Sequence, residues 1–202
     1  MRRIVLASGS PRRRALLDSL GLQFGVITSD AEETNHGESP ALIVERNAAL
    51  KRDDVAARLE GDALVIAADT LVFEGPRVLA KPPNRAEAIA MLEHLSGRTH
   101  QVCTGLAVCD TATGRAVQGT ETTDVTFREL TRAEIERFVD VVNPLDRAGA
   151  YTVDGPGMLL VARYGGCYQN VLGLPVARLD ALLRQLDFHL FDALDKERAV
   201  FL

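Results

Sequence analysis

The chain has 202 residues, 47% hydrophobic and 25% charged, which is the composition of a folded domain and not of a disordered segment. Its net charge of -5 and pI near 5.4 argue against bulk attraction to nucleic acid or to an anionic membrane, so any phosphate site must be a local basic pocket. No run of 18 apolar residues occurs, and the apolar stretch Ile4 to Ala7 behind Met1-Arg2-Arg3 is too short for a secretory leader; a soluble protein of a reducing cytoplasm is the expectation.

Ile4, Val5 and Leu6 read as a short buried strand. Ser10 suits an N-cap and Pro11 the first helical position, because the missing proline N–H is not needed there. Ala15, Leu16, Leu17 and Leu20 give this helix an apolar face, and Gly21 stands where a C-cap often sits. Ser39-Pro40 opens a second helix running to about Leu59 and carrying Glu45 and Lys51. "ALVIAADTLVF" predicts a strand over 63–67 that ends on the polar pair Asp69-Thr70 and resumes after it. Asn84 caps a helix with Ala88, Met91, Leu92 and Leu95 on one face, and Gly97 ends it.

The turn signal Thr111-Ala112-Thr113-Gly114 makes the segment from His100 to Phe127 a hairpin. Thr122, Thr123 and Thr126 are then strand residues without chemistry. Thr131 and Glu134 form a capping box before a helix with Ile135, Phe138, Val139 and Val142 on one face. "GMLLVARYGGCYQNVLG" reads as another hairpin, with Gly165-Gly166 at its tip. Val176, Leu179, Leu183 and Leu186 mark a last amphipathic helix, and the tail after Phe188 shows no pattern. Early alternation of strands and helices followed by long hairpins predicts an α/β fold with a mixed twisted sheet and flanking helices.

Several stretches can carry chemistry. Arg12, Arg13 and Arg14 follow a small-residue loop at a helix start, where backbone N–H groups and the helix dipole favour an anion. Guanidinium forks match phosphate geometry; a solvated basic first turn is the alternative. Asp69 directly after a buried strand is costly unless paired, hydrogen-bonded or metal-bound, although an Asp can also simply make a turn. Lys81 precedes Pro82 and could return across the same cleft, or be a surface lysine beside a turn. Glu32 and Glu33 lie in an acidic loop; facing phosphates, they make sense with Mg²⁺ between them, and otherwise as a solvated loop. In "PLDRAGAYTVDGPG", Gly149, Gly155 and Gly157 permit close approach or unusual φ, so the loop could wrap a flat ligand or be an irregular turn. Cys103, Cys109 and Cys167 form no CxxC and the four histidines no HExxH, so buried reduced thiols are expected. Walker A, GxGxxG and GxSxG sequences are missing.

Taken together, "LASGSPRR", "AADTLV", "LAKP", "LSGRTHQVCTG", "TDVTFREL", "PLDRAGAY" and "NVLGLP" resemble the Maf family of nucleoside triphosphate pyrophosphatases, in family order from residue 6 to residue 175. The resemblance implies a single Maf-like domain over 1–202, with two lobes around a cleft as in inosine-triphosphate pyrophosphatases. It implies hydrolysis of a nucleoside triphosphate to the monophosphate and pyrophosphate with a divalent metal, Mg or Mn, in a cytoplasmic protein that is often a homodimer. Residue by residue, Ser8 and Arg13 would bind phosphate, and Arg12 and Thr70 would tune substrate choice. Asp69 would be the catalytic carboxylate and a metal ligand, with Glu33 the second ligand. Lys51 and Lys81 would be catalytic lysines.

One position departs from the pattern. The subgroup linked to dTTP and UTP carries Gln where this chain has Asp154. A carboxylate only accepts hydrogen bonds, which suits adjacent N–H donors such as those of guanine. Arg12 and Thr70 keep the pyrimidine type. The reading leans to dTTP and UTP, with a modified guanine nucleotide such as 7-methyl-GTP, or a nucleotide-binding regulator of cell division with little turnover, as the alternatives.

Overall fold

The computed structural model describes residues 2–34 and 39–200, which leaves out Met1 of the amino-terminal stretch read above. The elements run β1 (Ile4–Leu6), α1 (Pro11–Ser19), β2 (Phe24–Val26), α2 (Pro40–Ala57), β3 (Leu64–Glu74), β4 (Arg77–Val78) and α3 (Arg85–Leu95). They continue with β5 (Thr99–Asp110), β6 (Arg115–Phe127), α4 (Arg132–Val142), β7 (Val161–Gly165), α5 (Tyr168–Val171) and α6 (Val176–Arg184). The strands form one sheet in the order β2-β1-β3-β5-β6-β7, with β4 paired to β3. β1 is parallel to β2 and β3, and the remaining pairs are antiparallel, so the sheet is mixed as the sequence predicts.

The helix ends form as their capping residues dictate. Ser10 Oγ accepts from the Arg13 N–H, Asn84 from that of Glu87, and Thr131 and Glu134 close a reciprocal capping box. Gly21 sits just past α1 with a φ of 73°.

Two expectations fail. β3 is not broken at Asp69-Thr70; it runs unbroken for 11 residues. Ten consecutive pairs with β5, from Leu64–Asp110 to Phe73–Gln101, hold it straight through the polar pair. The ladder supplies the backbone partners that a strand end would have to find elsewhere. The expected hairpin at Gly165-Gly166 is a strand, a turn and a short helix. β7 pairs with β6, and α5 then turns inward because Asn170, fully buried, donates to Val102 O and Thr123 Oγ1, both at 2.9 Å. Thr123 Oγ1 also donates to Cys167 O at 3.0 Å and accepts from Cys167 N at 3.1 Å. The unpatterned tail forms a 3₁₀ turn at Leu190–Ala193, with Leu190 and Ala193 buried against α6 and the sheet.

Side chains alternate between the two faces of β3. On one face Leu64, Ile66 and Ala68 join a core with α1 and α6, while Val72 joins a second core with α3 and α4. Thr70 stands between the two cores. On the opposite face, Val65, Ala67 and Leu71 pack toward α2, and Asp69 points the same way.

Candidate active site

β1 stops at Leu6, opposite Ile66, and β4 pairs with β3 only from Phe73 onward, so on that side β3 has no strand neighbour between the Ala7 N–H bond to Ile66 O and the Leu79 N–H bond to Val72 O. Asp69 is therefore not at the end of its own strand, as expected, but just beyond the end of the adjacent parallel strand. The edge there is open for ligands, which is why a mid-strand carboxylate can be functional.

Asp69 is reached from α2. Asn47 and Lys51 lie one helical turn apart and share a face. Asn47 Nδ2 donates to Asp69 Oδ2 at 2.9 Å, and Lys51 Nζ donates to Asp69 Oδ1 at 2.8 Å. Lys51 Nζ also lies 2.8 Å from Glu33 Oε1, so both carboxylates converge on one ammonium. Asn47 binds the acidic loop too, accepting from Thr34 N at 3.1 Å and donating to Thr34 O at 2.9 Å. Asp69 and Lys51 are nearly buried, while the Glu33 side chain is 44% exposed. A buried carboxylate in this setting is stabilised by its donors, one on each oxygen, and lone pairs remain for a water or a metal.

Glu33 and Asp69 could hold a divalent cation. Mg²⁺ is commonly bound by one or two carboxylates together with substrate phosphates and water, and this pair suits that pattern. Among the described residues, no group of three or more His, Cys, Asp or Glu side chains forms a metal cluster.

On the other face of β3, Arg13 is buried and anchored three ways. Its Nε donates to Gly173 O at 2.8 Å, one terminal nitrogen to Ser8 Oγ at 3.0 Å, and the other to Thr70 Oγ1 at 3.0 Å. Thr104 Oγ1 donates to Asn170 O at 3.1 Å, so the 2.9 Å contact between the two threonines must carry the Thr70 proton. The chain of donors thus runs from Arg13 through Thr70 and Thr104 to Asn170. Burial pulls the Arg13 guanidinium below its ordinary pKa, opposed first by the charge of Asp69. Ser8 Oγ also accepts from the Ser10 N–H, which leaves the Ser8 proton free for a ligand.

A pocket of about 240 Å³ opens beside this chain. Its cationic side holds Arg12, Arg13, Lys81 and Arg147, and its apolar side includes Val72, Val102 and Val153. Lys81 thus returns to the cleft. The loop "PLDRAGAY" does wrap the pocket: Gly149 N bonds Ala80 O, and Gly149 itself has a φ of 69°, the conformation glycine adopts freely. Asp154 is placed differently. It is exposed, it accepts from the Thr152 hydroxyl, and its charge acts on Arg12. All three cysteines are free; burial raises the thiol pKa of Cys103 and Cys109, while Cys167 is only half-buried. Asn47, Thr104, Asn170 and Arg147 were not singled out from sequence, although the Asn47–Lys51 spacing of four was the available signal.

A profile of the family described as "Maf-like protein" matches residues 3–186. The chain belongs to the Maf family. It is 46% identical over 190 residues to a dTTP/UTP pyrophosphatase of Pelotomaculum thermopropionicum, covering 94% of this chain and 99% of that protein. It is 45% identical over 185 residues to a dTTP/UTP pyrophosphatase of Desulforamulus reducens, covering 91% and 96%. Among solved structures, a HAM1 protein from Coxiella burnetii aligns over 63% of this chain and 73% of its own, with a TM-score of 0.44 and 22% identity.

Proposed function

We propose that this Maf-family chain is a nucleoside triphosphate pyrophosphatase acting on dTTP and UTP. The observation that carries the reading is the Asp69 carboxylate, held by Asn47 and Lys51 at the open edge of β3, with a pocket lined by Arg12, Arg13 and Lys81 on the strand's other face. The two cores flanking Thr70 are read as two lobes of one domain, with the cleft between them.

In this reading water attacks the α phosphorus, the bond to the bridging oxygen breaks, and the monophosphate and pyrophosphate leave. Asp69 orients the water and accepts its proton. Lys51, Lys81 and Arg13 offset charge on the departing pyrophosphate. Ser8 donates its free proton to a phosphate oxygen. Glu33 and Asp69 would hold Mg or Mn, which when bound would neutralise phosphate charge and acidify water. Arg12 and Thr70 select the substrate. A homodimer in the cytoplasm belongs to the same reading; among the described residues no helix is long and apolar enough to cross a membrane.

The test is pyrophosphate release with Mg²⁺ or Mn²⁺ from dTTP, UTP, CTP, GTP and 7-methyl-GTP. Preferred turnover of dTTP and UTP is expected. Preference for a guanine nucleotide would shift base reading to Asp154. Binding of nucleotide without pyrophosphate release would favour the regulator.

A further inference from the structure

Among the described residues lining the pocket, Arg147 is a cation that the roles above do not use. It sits between two 3₁₀ turns, Pro144–Asp146 and Ala148–Ala150, in extended backbone conformation. The segment is firmly held. Gly149 N bonds Ala80 O, the carbonyl of the residue before Lys81, and Ala150 is fully buried with a φ of 62°. A non-glycine residue in that conformation is strained and persists only where its surroundings impose it. The loop therefore presents Arg147 to the pocket at a fixed place.

The Arg147 guanidinium is incompletely satisfied there. Its Nε and one terminal nitrogen are buried and have no hydrogen-bond partner. The nearest carboxylate oxygen, on Asp146, lies 3.6 Å from Nε, beyond hydrogen-bond range, and the Asp146 side chain is 79% exposed. Buried, unpartnered N–H groups on a cation are among the costliest features of a fold. Arg12 shares the pocket, and Arg147 acts on it as a like charge. Two guanidinium groups held this way are stabilised by an anion between them. Nε and that terminal nitrogen lie on different edges of the guanidinium, so each can donate to a separate oxygen of a polyphosphate.

We propose that Arg147 is a substrate-binding residue that takes phosphate oxygens of the nucleoside triphosphate, jointly with Arg12, through its two unpartnered N–H groups. The proposal rests on the pyrophosphatase reading for its substrate, and its test does not require turnover.

The probe is inorganic tripolyphosphate, with binding measured by calorimetry in the absence of metal on the full chain. Arg147→Met should weaken binding about 10-fold to 100-fold, the range expected for losing charge-assisted hydrogen bonds. Arg147→Lys, which keeps a point charge without the fork, should fall between the two. Arg163→Met, which removes an exposed charge on β7, controls for bulk charge and should bind as the parent does. The thermal midpoint of the unliganded protein should be unchanged or higher in Arg147→Met, because two buried N–H groups without hydrogen-bond partners are gone. Unchanged tripolyphosphate binding in Arg147→Met would overturn the proposal. So would a lowered unliganded midpoint, which would make Arg147 a structural residue, or a parent protein that does not bind tripolyphosphate at all. Binding that behaves as proposed in a parent that releases no pyrophosphate from any nucleotide would uphold the phosphate site and reject the catalytic reading.

Discussion

Gly105 and Asp69 face each other across the β3–β5 ladder, and the missing side chain of Gly105 brings α2 down onto Asp69. A Cβ at Gly105 would lie 2.3 Å from Val44 O and 2.6 Å from Glu45 N, both backbone atoms of α2. The helix therefore rests directly on the sheet at this point. One and two turns further on, Asn47 and Lys51 are close enough to bind the two Asp69 oxygens. A residue with no side chain thus sets the geometry of the Glu33–Lys51–Asp69 cluster.

Gly105→Ala should consequently act on stability and activity together. The helix backbone cannot yield as a flexible side chain would, and overpacking of this kind costs about 1–3 kcal/mol. Urea unfolding should show that loss, and pyrophosphate release should fall as Lys51 and Asn47 are lifted from Asp69. An alanine variant with parent-like stability and rate would show that α2 is not held by this contact.

Asp69→Asn preserves shape and removes the charge. The rate of pyrophosphate release should drop about 10²–10⁴-fold, the usual contribution of a positioned general base. Nucleotide binding measured by calorimetry should persist, because Arg12, Arg13 and Lys81 are untouched. Retention of full activity would remove Asp69 from the chemistry.

Thr70→Val would leave an Arg13 N–H without its acceptor and interrupt the donor chain to Thr104. A buried donor left in this way costs about 1–3 kcal/mol. kcat/KM should fall by up to about 10²-fold as Arg13 loses its position. Thr70→Ser keeps the hydroxyl and should restore most of both. Equal behaviour of the valine and serine variants would show that the hydroxyl has no role.

His100 predicts a pH dependence of stability. It is fully buried, with its Nε2 paired to the Tyr151 hydroxyl at 2.7 Å and its Nδ1 unpartnered. Burial pushes its pKa down to about 4, against a weaker opposing effect from Glu74. The unfolded chain takes up the proton near pH 6.5, whereas the folded chain resists it until about pH 4. Stability from this residue is thus complete above pH 6.5 and is lost as pH falls through that window, by about 3 kcal/mol in all. Unfolding free energies from pH 4 to 7 should show the slope, and His100→Gln should remove that part of it. An identical slope in His100→Gln would assign the pH dependence elsewhere.

Much of the architecture was legible because it is locally encoded. Ser10-Pro11, Asn84 and the Thr131–Glu134 box each act on N–H groups within their own first helical turn, so the helix starts could be read from a few residues. The turn at Thr111–Gly114 was readable for the same reason. The interruption expected at Asp69-Thr70 was not real, because whether a polar pair ends a strand depends on the partner across the ladder. Here that partner is Thr104-Gly105, more than thirty residues away. Gly165-Gly166 looked like a hairpin tip for a similar reason: only the burial of Asn170 against Val102 and Thr123 decides that the chain turns into a helix.

The sequence by itself determined the helix starts with their caps, the alternating apolar faces, and the set of charged residues available for phosphate chemistry. Those properties depend on residues within one or two turns of each other. Tertiary structure alone decided which charges meet. It placed Lys51 between Glu33 and Asp69, tied Arg13 to Ser8, Thr70 and Gly173, and left Arg147 beside Arg12 with buried, unsatisfied N–H groups. Asp154, prominent in the sequence, was left exposed and bound to Thr152. Electrostatic pairing is set by distance and burial, and both depend on how α2 and the Pro144–Tyr151 loop pack against a sheet built from distant parts of the chain.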